Sequence, residues 1–173
     1  MSPASTETRA DTGVVAVDAV SPLSGLEFIT ALADGRFPRP PIATLLDFRP
    51  VEVERGRVVF AATPGEAHLN PLGAVHGGYV ATLLDSCMGC AVHTELGPGQ
   101  SYTTLELKVN FVRRVAADAG PVRAEGKVIH VGGQIATAEG RLLDGSGRLL
   151  AHGTTTCLIF RLPERQNGAD RAK

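Results

Sequence analysis

Tryptophan is absent, and all aromatic residues together make up only 5% of the chain. Surfaces that hold single-stranded nucleic acid stack bases on aromatic rings, so this scarcity argues against such a role. Charge of one sign is lacking too: 17 Lys and Arg stand against 18 Asp and Glu, for a net charge of −1. A nucleic-acid partner needs a positive footprint, and none is expected here. Cysteine is sparse and odd in number, at Cys87, Cys90 and Cys157. That count does not make a disulfide framework, and a reducing cytoplasm is the simplest compartment. Long apolar runs are missing as well. The most apolar stretch, Val80 to Val92, is broken by Asp85, Ser86 and Gly89, too short and polar for a membrane span. The first 20 residues have neither a basic n-region nor a sufficient apolar core, so no signal peptide is expected. There is no Walker loop, no G-x-G-x-x-G and no H-E-x-x-H. Ser86 and Ser101 lack the G-x-S-x-G setting of an esterase nucleophile.

What is present suits one domain: 173 residues, 43% of them hydrophobic. The composition predicts a disordered tail over residues 1–20, a single domain over 21–162 and a second tail over 163–173. Ser24 is placed to cap a helix over Gly25–Ala33, and Phe37 to Pro41 reads as an extended, non-helical loop. Strands are predicted over Leu45–Glu54 and Arg57–Thr63, joined by a hairpin at Arg55-Gly56. A loop from Pro64 to Gly73 leads to one long helix, Gly77–Glu95. Four strands follow: Tyr102–Val115, Val122–Val131, Ile135–Leu143 and Leu149–Arg161, with glycine-rich turns between them. Along the first, Thr104, Glu106, Lys108 and Asn110 alternate with Leu105, Leu107, Val109 and Phe111, one wet face and one packed.

Consecutive hairpins imply an antiparallel sheet. The long helix is apolar on every side, which predicts burial. An α+β architecture satisfies both: an antiparallel sheet of about five to six strands wrapped around one long central helix.

Two chemical features stand on that helix. Its start, after His76, is bare of side chains at Gly77 and Gly78, where the first-turn N–H groups lie unpaired. A substrate oxygen can approach such a backbone closely, and a developing oxyanion can be held there. The plainer reading is a tight turn. Asp85 follows eight positions after Gly77 within the most apolar helix of the chain. A carboxylate there needs a reason: a water-activating base, a nucleophile, or a structural hydrogen bond. Cys87-x-x-Cys90 with His93 invites a metal or redox reading. The thiols sit mid-helix in apolar surroundings, though, and packing explains them better; no metal and no cofactor are expected.

The pattern Asn70-x-x-Gly73-x-x-His76-Gly77-Gly78, with Asp85 eight residues past Gly77, resembles the phenylacetate-degradation-type (PaaI-like) hotdog acyl-CoA thioesterases. The likeness in element order spans Ser24 to Phe160. It implies the hotdog fold and hydrolysis of an acyl- or aroyl-CoA thioester to acid and CoA. It further implies that the Gly77 N–H binds the thioester oxygen, with Asn70 assisting or positioning water. Asp85, supplied across a dimer interface, is then general base or nucleophile. Thr104 orients the water, with Thr103 the rival if the register slips, and His76 shapes the loop. CoA is implied to lie near Arg113, His130, Val131 and Gly132. The assembly expected is a homodimer at least, and a homotetramer as a dimer of dimers. The chain departs from the pattern at Arg113-Arg114, where the family often has Arg-Pro. It departs again at Gly132-Gly133, where the family often has a basic residue, which leaves the phosphate contacts open. Two other functions compete: a hydratase or dehydratase of acyl thioesters, and a non-catalytic acyl-CoA binding module.

Overall fold

A computed structural model of the chain describes residues 12–163. The predicted tail segments 1–11 and 164–173 lie outside the described residues. Four helices and six strands follow in order: α1 (Val17–Val20), α2 (Gly25–Ala33), α3 (Pro41–Leu45), β1 (Phe48–Glu54), β2 (Arg57–Ala62), α4 (Gly77–His93), β3 (Gln100–Phe111), β4 (Val122–Val131), β5 (Ile135–Asp144) and β6 (Leu149–Arg161). The strands form one antiparallel sheet in the order β1-β2-β4-β5-β6-β3. α4 packs against its concave face, which is the hotdog fold.

Leu83, Leu84, Cys87, Met88, Ala91 and Val92 of α4 have no exposed surface. Burying such side chains contributes about 1.5–3 kcal/mol for each large one. The helix can lie this close because β4 and β5 face it with Gly126 and Gly140, paired in register. A Cβ on Gly126 would sit 2.3 Å from the Cys87 carbonyl, inside the helix backbone itself.

α2 begins at Ser24 with a full capping box: Ser24 Oγ accepts from the Glu27 N–H, and Glu27 Oε2 accepts from the Ser24 N–H. The Gly25 N–H then donates to Leu96 O, tying α2 to the far end of α4.

Five expectations change. Residues 12–20 are not a tail. The Gly13 N–H donates to Arg39 O at 3.0 Å, and Val17–Val20 forms α1. Pro41 does not prevent a helix but opens α3, because proline at a first helical position lacks only an N–H that would be unpaired anyway. β1 accordingly starts at Phe48, not Leu45. β3 ends at Phe111; beyond it the Val112 and Arg113 N–H groups both donate to Leu150 O, and Val115 O accepts from the Val75 N–H. Finally, β3 carries a bulge between Thr104 and Glu106 that breaks the simple alternation. Thr104 shares the helix-facing side with Leu107, Val109 and Phe111, while Glu106, Lys108 and Asn110 pair across with the outward residues Thr156, Thr154 and His152.

His93, near the C-terminal end of α4, is buried between the rings of Phe28 and Tyr102 at 5.4 and 5.5 Å. Burial pushes its pKa down from 6.5 to about 4. The folded protein therefore keeps His93 neutral where the unfolded chain is already protonated. Its contribution is fully present above pH 6.5 and is lost as pH falls toward 4, by roughly 3 kcal/mol in all. The urea midpoint is expected to drop between pH 7 and pH 4.5, and to drop less in His93→Leu. Equal drops in both proteins would refute this account.

Candidate active site

The turn into α4 is built by three residues. Asn70 Oδ1 accepts from the Leu72 and Ala74 N–H groups at 2.9 and 3.1 Å, which fixes the amide and leaves Nδ2 as the group Asn70 can still offer. His68 Nδ1 accepts from the Gly65 N–H, and its ring stacks on Tyr79 at 4.2 Å. His76 is the N-cap: its Nδ1 accepts from the Gly78 N–H at 2.8 Å, and its carbonyl accepts from the Tyr79 N–H. The Gly77 N–H, at the first helical position, has no acceptor among the described residues. It carries the partial positive charge of the helix end.

Beside this amide is a cavity of about 280 Å³. Asn70, Gly77, Val80, Phe111, Arg113 and Ala151 are among its walls. Most of the lining is apolar, with Arg113 and Arg114 as its positively charged members. Arg113 Nη1 donates to Leu149 O and Arg114 Nη2 to Gly73 O, so both stay tethered to the loops around the cavity.

Asp85 is half-buried further along α4, and Thr104 Oγ1 donates to its Oδ1 at 2.9 Å. Thr103, the rival position, is exposed and pairs with Leu158 on the other face. The thiols nearby are protonated at neutral pH: burial first, and the Asp85 charge as a lesser cause, push Cys87 well up and Cys90 to about 12. Protonated thiols are poor metal ligands and poor nucleophiles. No three His, Cys, Asp or Glu side chains gather as metal ligands among the described residues. Nor is any helix among them long and apolar enough to cross a membrane.

The site residues thus fall into two groups. Asn70, His76, Gly77 and Arg113 surround or support the cavity, whereas Asp85 and Thr104 lie apart from it. Eight helical steps lead from Gly77 to Asp85, a rise of about 12 Å. His130, Val131 and Gly132 form the β4–β5 hairpin, away from the cavity. Ile135 beside them pairs with Leu158, which pairs with Thr103, so this hairpin belongs to the Asp85–Thr104 end. Of the large apolar side chains Phe60, Leu84, Met88 and Phe111, Phe111 lines the cavity, and the other three are core. Val80, Leu150 and Ala151 were missed, because nothing local marks residues that meet only when β6 pairs with β3.

A long helix wrapped in a six-stranded antiparallel sheet defines a hotdog protein. The family described as the thioesterase superfamily matches residues 72–151. A solved protein from the thioesterase superfamily is 30% identical, with 80% of this chain and 100% of that one aligned at a TM-score of 0.66. This chain belongs to that superfamily. A candidate thioesterase from Ralstonia eutropha JMP134, described as phenylacetic acid degradation-related, is 28% identical over 76% of this chain and 98% of its own, at a TM-score of 0.69. A candidate esterase of Saccharolobus solfataricus is 29% identical over 81% of this chain and 94% of its own. A more distant likeness in fold, 23% identical over 68% of this chain and 91% of the other at a TM-score of 0.61, is to a Streptococcus mutans UA159 protein bound to acetyl CoA.

Proposed function

We propose that this protein hydrolyses an acyl- or aroyl-CoA thioester to the free acid and CoA, acting as a homodimer or a dimer of dimers within one domain over residues 21–162. The observation that carries this reading is the pairing of an unclaimed Gly77 N–H above a cavity with a half-buried Asp85 held by Thr104. A thioester carbonyl at the cavity directs its oxygen to the Gly77 N–H, with Asn70 Nδ2 as a second donor. Asp85 takes a proton from a water that Thr104 helps orient, and the water oxygen bonds to the carbonyl carbon. Charge grows on the carbonyl oxygen, the C–S bond breaks, and CoA leaves as its thiolate. Direct attack by the Asp85 carboxylate, with water cleaving the resulting anhydride, uses the same geometry.

The 12 Å rise between Gly77 and Asp85 is too long for one helix to serve one carbonyl through a single water, so the two groups come from different protomers. β3 is the edge that supports this. It is a 12-residue strand unpaired on its outer side among the described residues, with Leu105 57% and Phe111 59% exposed. The opposite edge, β1, is seven residues long and interrupted by Pro50 and a bulge, features that blunt an edge. Thr104 and Phe111 lie on the same face of β3, six ladder steps or about 20 Å apart. A two-fold axis near Lys108, pairing β3 with its copy, sets Thr104 of one protomer beside Phe111 of the other. It thereby joins the Asp85 end to the Gly77 cavity. The β4–β5 hairpin with His130, Val131 and Gly132 moves with the Asp85 end toward the partner's Arg113, where CoA phosphates are expected. The dehydratase alternative needs His76 as a base, and the Gly78 N–H occupies its Nδ1.

The test is a thiol-release screen over short, medium, long-chain and aromatic CoA thioesters. Two variants sharpen it. Gly77→Pro deletes the N–H, whereas Gly77→Ala keeps it, and each adds a Cβ that meets the Phe111 ring at 3.1 Å. The proline variant is expected to turn over about 100- to 1,000-fold more slowly than the alanine variant. Equal rates would remove the oxyanion assignment.

A further inference from the structure

Phe111 is an anomaly of exposure. It is a large aromatic side chain on the helix-facing side of β3, yet 59% of it is exposed. Its contact with α4 is made by the tip of the ring. Cζ, Cε1 and Cε2 lie 3.1, 3.3 and 3.8 Å from the point a Gly77 Cβ would occupy. The ring therefore stands at van der Waals distance from the Gly77 backbone, and glycine at position 77 serves a second purpose, which is to seat it. The same ring is a wall of the cavity into which the Gly77 N–H opens.

From this geometry we propose that Phe111 is the specificity-determining wall for the acyl group at its α-carbon. The proposal rests on the hydrolase reading above. A carbonyl whose oxygen meets the Gly77 N–H places its α-carbon beside the ring tip. Val80 and Ala151 form other parts of the same wall and lie on packed elements that cannot retreat. A straight or planar acyl group slides along the ring. A branch at the α-carbon runs into it. Discrimination against one added methyl in an apolar site is typically 10- to 200-fold, the scale expected here.

The experiment compares wild type, Phe111→Leu and Phe111→Ala on paired substrates, butyryl- against isobutyryl-CoA and octanoyl- against 2-methyloctanoyl-CoA. The readout is the ratio of kcat/KM within each pair, with thermal melting as a control. Because Phe111 lies on the edge strand proposed to pair with its copy, the readout is a ratio taken within each variant, which a change in the amount of assembled protein does not move. Wild type is expected to favour the straight chain by at least about 10-fold. Phe111→Ala should lose most of that preference, through recovered turnover of the branched substrate, and Phe111→Leu should fall between. A preference unchanged in Phe111→Ala, or absent from wild type, overturns the proposal while leaving hydrolysis in place. If no protein releases thiol from any substrate, the hydrolase reading fails. The wall is then read by calorimetry with the non-hydrolysable butyl- and isobutyl-CoA thioethers. Straight-chain preference in wild type that disappears in Phe111→Ala supports it, and equal binding of the two thioethers overturns it.

Discussion

Asp85→Asn is expected to leave the fold intact and to slow thioester hydrolysis by about 100- to 10,000-fold, the range a positioned general base contributes. The structure makes this substitution clean. Asp85 is half-buried and accepts one hydrogen bond, from Thr104 Oγ1 at 2.9 Å. An asparagine oxygen can accept the same bond in the same volume, so neither the helix nor β3 has cause to move. What disappears is the negative charge, and with it both the base and the nucleophile. The charge also helps hold the neighbouring thiols in their protonated form, behind burial as the main cause. Its removal asks nothing new of the core. The melting temperature of Asp85→Asn should therefore match or exceed that of wild type while thiol release collapses. Half of wild-type turnover in a well-folded Asp85→Asn would end the assignment of this carboxylate to the chemistry. A loss of activity accompanied by unfolding would instead return Asp85 to a structural role.

The largest effect on stability is expected from Gly126→Ala. A Cβ there would stand 2.3 Å from both the carbonyl carbon and the oxygen of Cys87, and 2.5 Å from the Met88 nitrogen. These are backbone atoms of a buried helix, not the yielding end of a side chain. β4 cannot retreat either, because β2 and β5 are bonded to it on its two sides. Overpacking of this kind costs about 1–3 kcal/mol, and a clash against backbone belongs at the upper end. For a chain of this length, about 3 kcal/mol lowers the melting temperature by roughly 10 °C. Gly133→Ala is the matched control, since its Cβ would meet nothing within 4 Å. It should lie within about 0.5 kcal/mol of wild type. If both variants melt alike, the close seating of α4 on the sheet is not what limits side-chain size at Gly126.

Legibility differed from element to element for physical reasons. The capping box at Ser24 and Glu27 is local chemistry, and α2 runs over Gly25–Ala33 as its sequence predicts. α4 starts at Gly77 as expected and ends at His93, two residues early, where Thr94 caps it. α3 is not legible in the sequence because prolines read as breakers, although the last of them opens the helix. The reach of β3 was overestimated because Val112 and Val115 look like strand residues. Their backbone groups are instead spent on Leu150 and on the loop that carries Asn70.

The local sequence alone determined the chemistry on offer: a side-chain-free helix start at Gly77, a carboxylate at Asp85 inside an apolar helix, and the antiparallel sheet that encloses it. These follow from residue type and spacing, which act over a few residues of chain. Tertiary structure decided which groups face one another. Simple alternation puts Thr104 with Glu106 on the wet side, and the bulge opposite Cys157 and Thr156 turns it onto the helix-facing side, against Asp85. The tip of Phe111 meets Gly77 only because β3, edged against β6, ends beside the start of α4. Such contacts depend on the register between strands far apart in the chain, and register is settled by the pairing of whole strands rather than by any one residue.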